Sequence, residues 1–251
     1  MVRRYHAALH AAGVVVAMTS LAAPSFLSPT VANSAPTGCP DVELVFARGT
    51  FEPAGLGRVG EALASSLRSR LPGRTVASHA VDYPASLDFG RAAEGVADAT
   101  RYIQRLVQRC PTTDIVVGGY SQGAAVSAYV TADSIPAEFV LPAGIDGVMP
   151  AAMAEHVAAV TLFGKPSREM LELVSRGAPP LALGAPYIAK TLDLCAPADP
   201  ICQPGGFDRA AHSSYVVNGM VDRASDFVAR RVDPERGSAE NPRGFPAANP
   251  R

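Results

Sequence analysis

Two apolar patterns alternate along this chain: short unbroken runs, and longer stretches in which apolar residues recur every three or four positions. The first pattern predicts strands buried on both faces, and the second predicts amphipathic helices. The segment "VELVFARGT" (42–50) predicts a strand ending in a polar Arg-Gly turn. Next, "GLGRVGEALASSLRSRL" places Leu56, Val59, Leu63, Leu67 and Leu71 at helical spacing. "RTVASHAVDY" predicts a second strand, stopped by Pro84. "GRAAEGVADATRYIQRLVQRC" predicts a helix with Val96, Tyr102, Ile103, Leu106 and Val107 on its inner face. "DIVVGG" is a third strand, and "GAAVSAYVTA" soon after it reads as a helix. "HVAAVTLFG" and the shorter "AKTLDLC" supply two more strands, and "SSYVVNGMVDRASDFVARRV" a last long helix.

Wholly apolar strands that alternate with amphipathic helices indicate a parallel sheet covered on both faces. Two stretches resist assignment, "SIPAEFVLPAGIDGVMPAAMAE" (134–155) and "SREMLELVSRGAPPLALGAPYI" (167–188), because Pro and Gly interrupt their apolar residues. Each is expected to pack as loop and short helix near one end of the sheet, either as the mouth of an apolar site or as an ordinary connection. Residues 1–35 carry Arg3 and Arg4, an apolar run from about Ala11 to Ala23, and small residues around 31–35. That order predicts a secretory signal peptide, cut between Ala23 and Ala35. A membrane anchor would need roughly 20 apolar residues, and Thr19 and Ser20 interrupt this run. One domain is expected over 36–232, followed by a disordered tail rich in Pro, Gly, Asn and Ala over 233–251.

Composition narrows the possibilities. A net charge of -1, a pI near 6.5 and no run of Lys or Arg give no surface for nucleic acid. The chain has no Trp and only 6% aromatic residues, which argues against a carbohydrate-binding module built on aromatic platforms. All four cysteines, Cys39, Cys110, Cys195 and Cys202, follow the signal segment. An even count in an exported chain reads as disulfides, and no Cys-x-x-Cys pair or neighbouring His suggests a metal site. Four cysteines allow three pairings; the favoured one closes a small loop with Cys195–Cys202 and fastens the mature N-terminus with Cys39–Cys110.

Candidate chemistry centres on "VGGYSQG" (117–123), a Gly-x-Ser-x-Gly pattern between a predicted strand and a predicted helix. That context predicts a nucleophile elbow, which lifts Ser121 above the sheet and aims the first N–H groups of the helix at a developing oxyanion. A serine needs a base to remove its proton. Of the five histidines, His6 and His10 leave with the signal, His79 lies within a strand, and His156 precedes one. His212 follows a loop and is expected to open the last helix, in the chain order Ser…Asp/Glu…His. The orienting carboxylate should then lie between Ser121 and His212. Asp193 falls within a strand and Asp208 in a glycine-rich loop, whereas Asp199 sits in "CAPADPIC", the loop that a Cys195–Cys202 bridge would pin. Asp199 is the preferred candidate.

"GYSQG" (119–123), "FARGTFEPAGLG" (46–57) and "LCAPADPICQPGGFDRAAHSSY" (194–215) together resemble the cutinase family, most closely its bacterial exported esterases. The resemblance spans Cys39 to about Val232. It implies a three-layer α/β/α sandwich of the α/β-hydrolase type, with a five-stranded, mainly parallel sheet, no large lid, and no cofactor or metal. It assigns Ser121 as nucleophile, Asp199 as acid and His212 as base. It adds an oxyanion hole formed by the N–H of Gln122 and by the N–H and hydroxyl of Thr50. The expected substrates are small-molecule or lipid carboxylic esters, met by a secreted monomer that makes peripheral contact with lipid or the cell envelope. Asp208 and Arg209 stand in "QPGGFDRAA" where fungal members carry apolar residues. That departure points to esters of short to medium acyl chains rather than a polyester such as cutin. A phospholipase or lipase, an acyltransferase, and a catalytically silent exported binding protein are the rival readings.

Overall fold

The computed structural model describes residues 38–134 and 147–233, and within them each of the five expected strands forms. The strands are β1 (Val42–Ala47), β2 (Val76–Ala80), β3 (Asp114–Tyr120), β4 (Val157–Phe163) and β5 (Thr191–Leu194). They form one sheet in the order β2-β1-β3-β4-β5, with every pair parallel. The expected signal segment, most of the first unassigned stretch, and the expected tail beyond Asp233 lie outside the described residues.

Side chains alternate across the sheet with the two-residue period of a strand. Val42, Leu44 and Phe46 face a layer built from α1 (Gly57–Arg70) and α7 (Met220–Val232). Val45 and Ala47, with Ile115 and Val117 of β3, face α2 (Ala92–Arg109) and α3 (Gln122–Val130). All six residues of β1 are buried, because the strand has neighbours on both sides and helices on both faces. This is the three-layer α/β/α arrangement expected from the sequence. Its strand order turns back between β1 and β3. In open α/β sheets, ligands bind outside the carboxyl ends of the strands at such a switch point.

Near that point α3 packs closely, because its residues are small: Gly123, Ala124, Ala125, Ser127 and Ala128 are all buried. The Ser127 hydroxyl donates back to the Gly118 carbonyl at 2.7 Å. The second unassigned stretch contains α4 (Arg168–Val174), capped where Met170 N–H donates to Ser167 Oγ at 3.1 Å, and the single turn α5 (Ala185–Ile188).

The last helix differs from expectation. A separate single turn, α6 (Arg209–His212), precedes it, so His212 ends a short helix instead of opening a long one. Two local features account for the break. The Asp208 side chain caps α6 by accepting from Ala210 N–H at 2.8 Å. Gly219 then takes a left-handed conformation (φ 80°), the Asn-Gly turn that helical periodicity alone passes over.

Cys39 is bridged to Cys110, and Cys195 to Cys202. The first bridge ties the start of the domain to the end of α2, beside the bond from the Thr113 hydroxyl to the Pro40 carbonyl at 2.7 Å. Among the described residues, no helix is long and apolar enough to cross a membrane. Replacing both Cys39 and Cys110 by Ala removes a closure between residues 71 apart in sequence, a loss of about 2–4 kcal/mol. Thermal unfolding followed by circular dichroism should show the midpoint falling by roughly 5–15 °C, with the folded spectrum kept at 25 °C.

Candidate active site

The chain passes from β3 into α3 through Ser121, whose backbone is held at φ 55° and ψ -119°. A residue with a side chain occupies that region only when its surroundings enforce it. Here the Ser121 N–H donates to the Phe163 carbonyl of β4 at 2.9 Å, and α3 starts at once. Neither flanking glycine has space for a Cβ. One on Gly119 would lie 2.1 Å from the Gly123 carbonyl oxygen, and one on Gly123 would lie 2.0 Å from that of Ala47.

The turn points the Ser121 hydroxyl at His212, with Oγ and Nε2 2.9 Å apart. Nδ1 of the same ring is 2.8 Å from Asp199 Oδ2. A carboxylate only accepts, so Nδ1 carries the proton and Nε2 is left to accept from the serine. Asp199 itself is completely buried. Its loop is closed by the Cys195–Cys202 bridge and by a bond from Ala198 N–H to Gln203 Oε1 at 2.8 Å. Burial pushes the Asp199 carboxyl up, but donors from His212, Tyr215 and the Ile201 N–H outweigh it and hold the group below its ordinary value. The Asp199 carboxylate is therefore held in one orientation by three donors.

Thr50 follows β1 in a turn braced by two charged side chains. The buried Arg48 guanidinium donates to the carbonyls of Glu52 (2.9 Å), Val81 (3.4 Å) and Tyr83, and its cation lies 5.1 Å from the centre of the Tyr83 ring. The Glu52 carboxylate accepts from Gly49 N–H at 2.7 Å and from Arg58 N–H at 2.8 Å. The Thr50 hydroxyl lies 3.4 Å from Gln122 Oε1, while Gln122 Nε2 donates to the Ser86 carbonyl at 3.0 Å. Gln122 is the first residue of α3, so its N–H has no acceptor within the helix. These contacts place the two turns side by side above the sheet.

A cavity of about 690 Å³ opens at Ser121 and His212, with walls that are mostly apolar, including Leu87, Phe89, Val96, Tyr129, Met170 and Val174. Both unassigned stretches contribute to it, through Ser134, Gly147 and Val148 from one and Met170 to Ala182 from the other. The loop before His212, read from sequence as polar, also presents Phe207 to solvent at 87% exposure.

The rival candidates lie apart from Ser121. His79 meets Asp98 Oδ2 at 2.8 Å and stacks on Tyr102, and His156 ends a 3-10 turn before β4. Asp193 pairs with Lys165 at 3.3 Å, and Asp208 caps α6. Three neighbours of the site escaped the sequence reading. Tyr120 donates to the His212 carbonyl at 2.6 Å and stacks on its ring, with centroids 5.0 Å apart. Tyr215 donates to Asp199 Oδ2 at 2.6 Å. Gly164, at φ 58°, brings its backbone so close that a Cβ would lie 3.0 Å from His212 Cε1 and 3.2 Å from Asp199 Oδ2. Only Tyr215 left a trace in the sequence, an aromatic three residues beyond His212.

A serine, imidazole and carboxylate in one hydrogen-bonded run, at the carboxyl ends of a parallel sheet covered by helices, define an α/β-hydrolase type of protein. A family model described as Cutinase matches residues 38–232, and the chain belongs to the cutinase family. It is 44% identical over 222 residues to Carboxylesterase Culp1 of Mycobacterium tuberculosis, covering 88% of this chain and 94% of that protein. It is 43% identical over 233 residues to Phospholipase Culp4 of the same organism, covering 90% and 97%. Among solved structures, Trichoderma reesei cutinase in complex with a C11Y4 phosphonate inhibitor is similar, with a TM-score of 0.57, 31% identity and 78% of each chain covered.

The elbow has no slack for a methyl group. Gly123→Ala sets a Cβ against the backbone carbonyls of Ala47 and Arg48 at 2.0 and 2.4 Å. It should destabilise the fold by about 3 kcal/mol or more, read as a lower urea midpoint.

Proposed function

We propose that the chain is an exported serine esterase that hydrolyses carboxylic esters of short to medium acyl chains through an acyl-enzyme on Ser121. The observation that carries this reading is the unbroken run Ser121–His212–Asp199 at the mouth of an apolar cavity. His212 Nε2 takes the hydroxyl proton as Ser121 Oγ attacks the ester carbonyl. The N–H groups of Thr50 and Gln122 hold the oxyanion of the tetrahedral intermediate, each contributing on the order of 3 kcal/mol. Asp199 stabilises the imidazolium, which then protonates the departing alcohol. Water, deprotonated by the same imidazole, attacks the acyl-enzyme and releases the acid.

The cavity favours a second substrate reading. Its walls are mostly apolar and its volume is about 690 Å³, which supports a phospholipid or lipid ester as an alternative substrate, in keeping with the name of the relative Culp4. Phe51 and Leu87, exposed at the cavity rim, support peripheral contact with a lipid surface. Two disulfides fit an oxidising location outside the cell. One chain supplies every residue of the site, so a monomer suffices.

Ser121→Ala should lower hydrolysis of p-nitrophenyl butyrate by about 10⁴-fold or more, with an unchanged unfolding midpoint. A variant that keeps a substantial part of the wild-type rate contradicts the assignment. Rates across esters of four to sixteen acyl carbons, with a diacyl phospholipid alongside, separate the two substrate readings.

A further inference from the structure

We propose that Tyr215 is a positioning residue of this site: its hydroxyl fixes the Asp199 carboxylate against His212 and so tunes the imidazole as a base. The inference rests on Ser121, His212 and Asp199 acting in the roles given above.

The direction of the Tyr215 hydroxyl proton follows from its neighbours. The oxygen accepts from the Ala196 N–H at 3.0 Å and lies 2.6 Å from Asp199 Oδ2. With one lone pair taken by that N–H, the single proton points to the carboxylate. Cys202 Sγ lies 3.4 Å away; as a disulfide sulfur it has no proton to give and is a far weaker acceptor than a carboxylate. Asp199 Oδ2 thus receives two donors, Tyr215 and His212, while Oδ1 receives the Ile201 N–H at 2.9 Å. Burial and the adjacent carboxylate push the phenol well above its ordinary value, so Tyr215 stays a donor throughout the working pH range.

The ring places the hydroxyl. Tyr215 is fully buried and meets His212, Tyr120 and Phe163 edge-on, at centroid distances of 6.2, 5.7 and 6.0 Å. It reaches this position because the chain turns after α6, with Ser213 and Ser214 N–H groups donating to Ala210 and Ala211 carbonyls. A Cβ on Gly164 would lie 2.9 Å from the Tyr215 oxygen, so the backbone of that loop closes directly over the contact.

The surrounding charged groups offer no substitute donor. Glu52 accepts from Gly49 and Arg58 N–H groups, and Arg58 donates to the Ser213 carbonyl at 3.3 Å. Asp208 is occupied by Ala210 N–H, Lys165 by Asp193, and Arg209 is exposed. Tyr120 spends its proton on the His212 carbonyl. Removing the Tyr215 hydroxyl therefore leaves Oδ2 with one donor and a less neutralised charge. The carboxyl then protonates at higher pH, and while ionised it holds the imidazolium more strongly. Both effects move the acid limb of the rate profile in one direction, to higher pH.

The test uses the full chain, with kcat and KM for p-nitrophenyl butyrate measured from about pH 5 to 9 and active sites counted by a phosphonate titrant. Tyr215→Phe should lower kcat per titrated site about tenfold, change KM less than about twofold, and raise the acid limb by about half a pH unit. Replacing Tyr215 with 3-fluorotyrosine keeps the ring and strengthens the donor, so the limb should move to lower pH. A purely structural role would lower the melting temperature and the count of titrated sites but leave the limb in place. That result in Tyr215→Phe overturns the proposal. If that variant does not fold, an unmoved limb in the 3-fluorotyrosine protein does the same. Wild-type protein that neither turns over nor titrates overturns the underlying reading, whereas full wild-type activity with unmoved limbs in the variants overturns this inference alone.

Discussion

Ser121 sits at φ 55°, a conformation that costs an isolated serine of order 1–3 kcal/mol to hold. It persists because β3 is paired on both sides, α3 begins at the next residue, and Gly119 and Gly123 let the backbones on either side come together. Shifting this turn would move everything near it. The Ala47 and Arg48 carbonyls touch Gly123, so the turn that carries Thr50 is located by the elbow itself. The Phe163 carbonyl that receives the Ser121 N–H ends β4, and the Gly164 backbone beyond it lies against His212 and Asp199. One backbone strain thus sets the relative positions of three loops.

A second constraint is the burial of Asp199. An ionised carboxyl without access to water is costly unless its oxygens are supplied with donors. The three donors here come from the His212 ring, the Tyr215 hydroxyl and the Ile201 N–H. Each also fixes a direction, so the requirement for stability and the requirement for an oriented imidazole are met by the same contacts. The Cys195–Cys202 bridge limits how far the loop can relax if one of them is lost. Arg48 plays a comparable part on the other side of the elbow, where a buried cation ties the Thr50 turn to the carbonyls after β2.

Much of this was legible from the chain because it depends on local pattern. Apolar-rich runs locate β1, β3 and β4, and Gly-x-Ser-x-Gly between a strand and a helix locates the turn at Ser121. Chain order and elimination led to His212 and Asp199, which the fold brings next to Ser121. What escaped depends on tertiary approach. Nothing near Gly164 in sequence signals that a glycine is required there, since the groups it would collide with lie on other loops. The sequence places Tyr215 only within the segment expected to form the last helix, because its partner, Asp199, is 16 residues away. The break at Asn218-Gly219 was hidden by helical periodicity.

On the proposed mechanism, the geometry around Ser121 makes its hydroxyl the reactive nucleophile of the chain. Covalent trapping by a p-nitrophenyl phosphonate, followed by peptide mass spectrometry, tests this most directly. One adduct per chain is expected, located on Ser121, with one p-nitrophenolate released for each and almost none formed by a His212→Ala variant. An adduct on another residue, or equal labelling with and without His212, would contradict it.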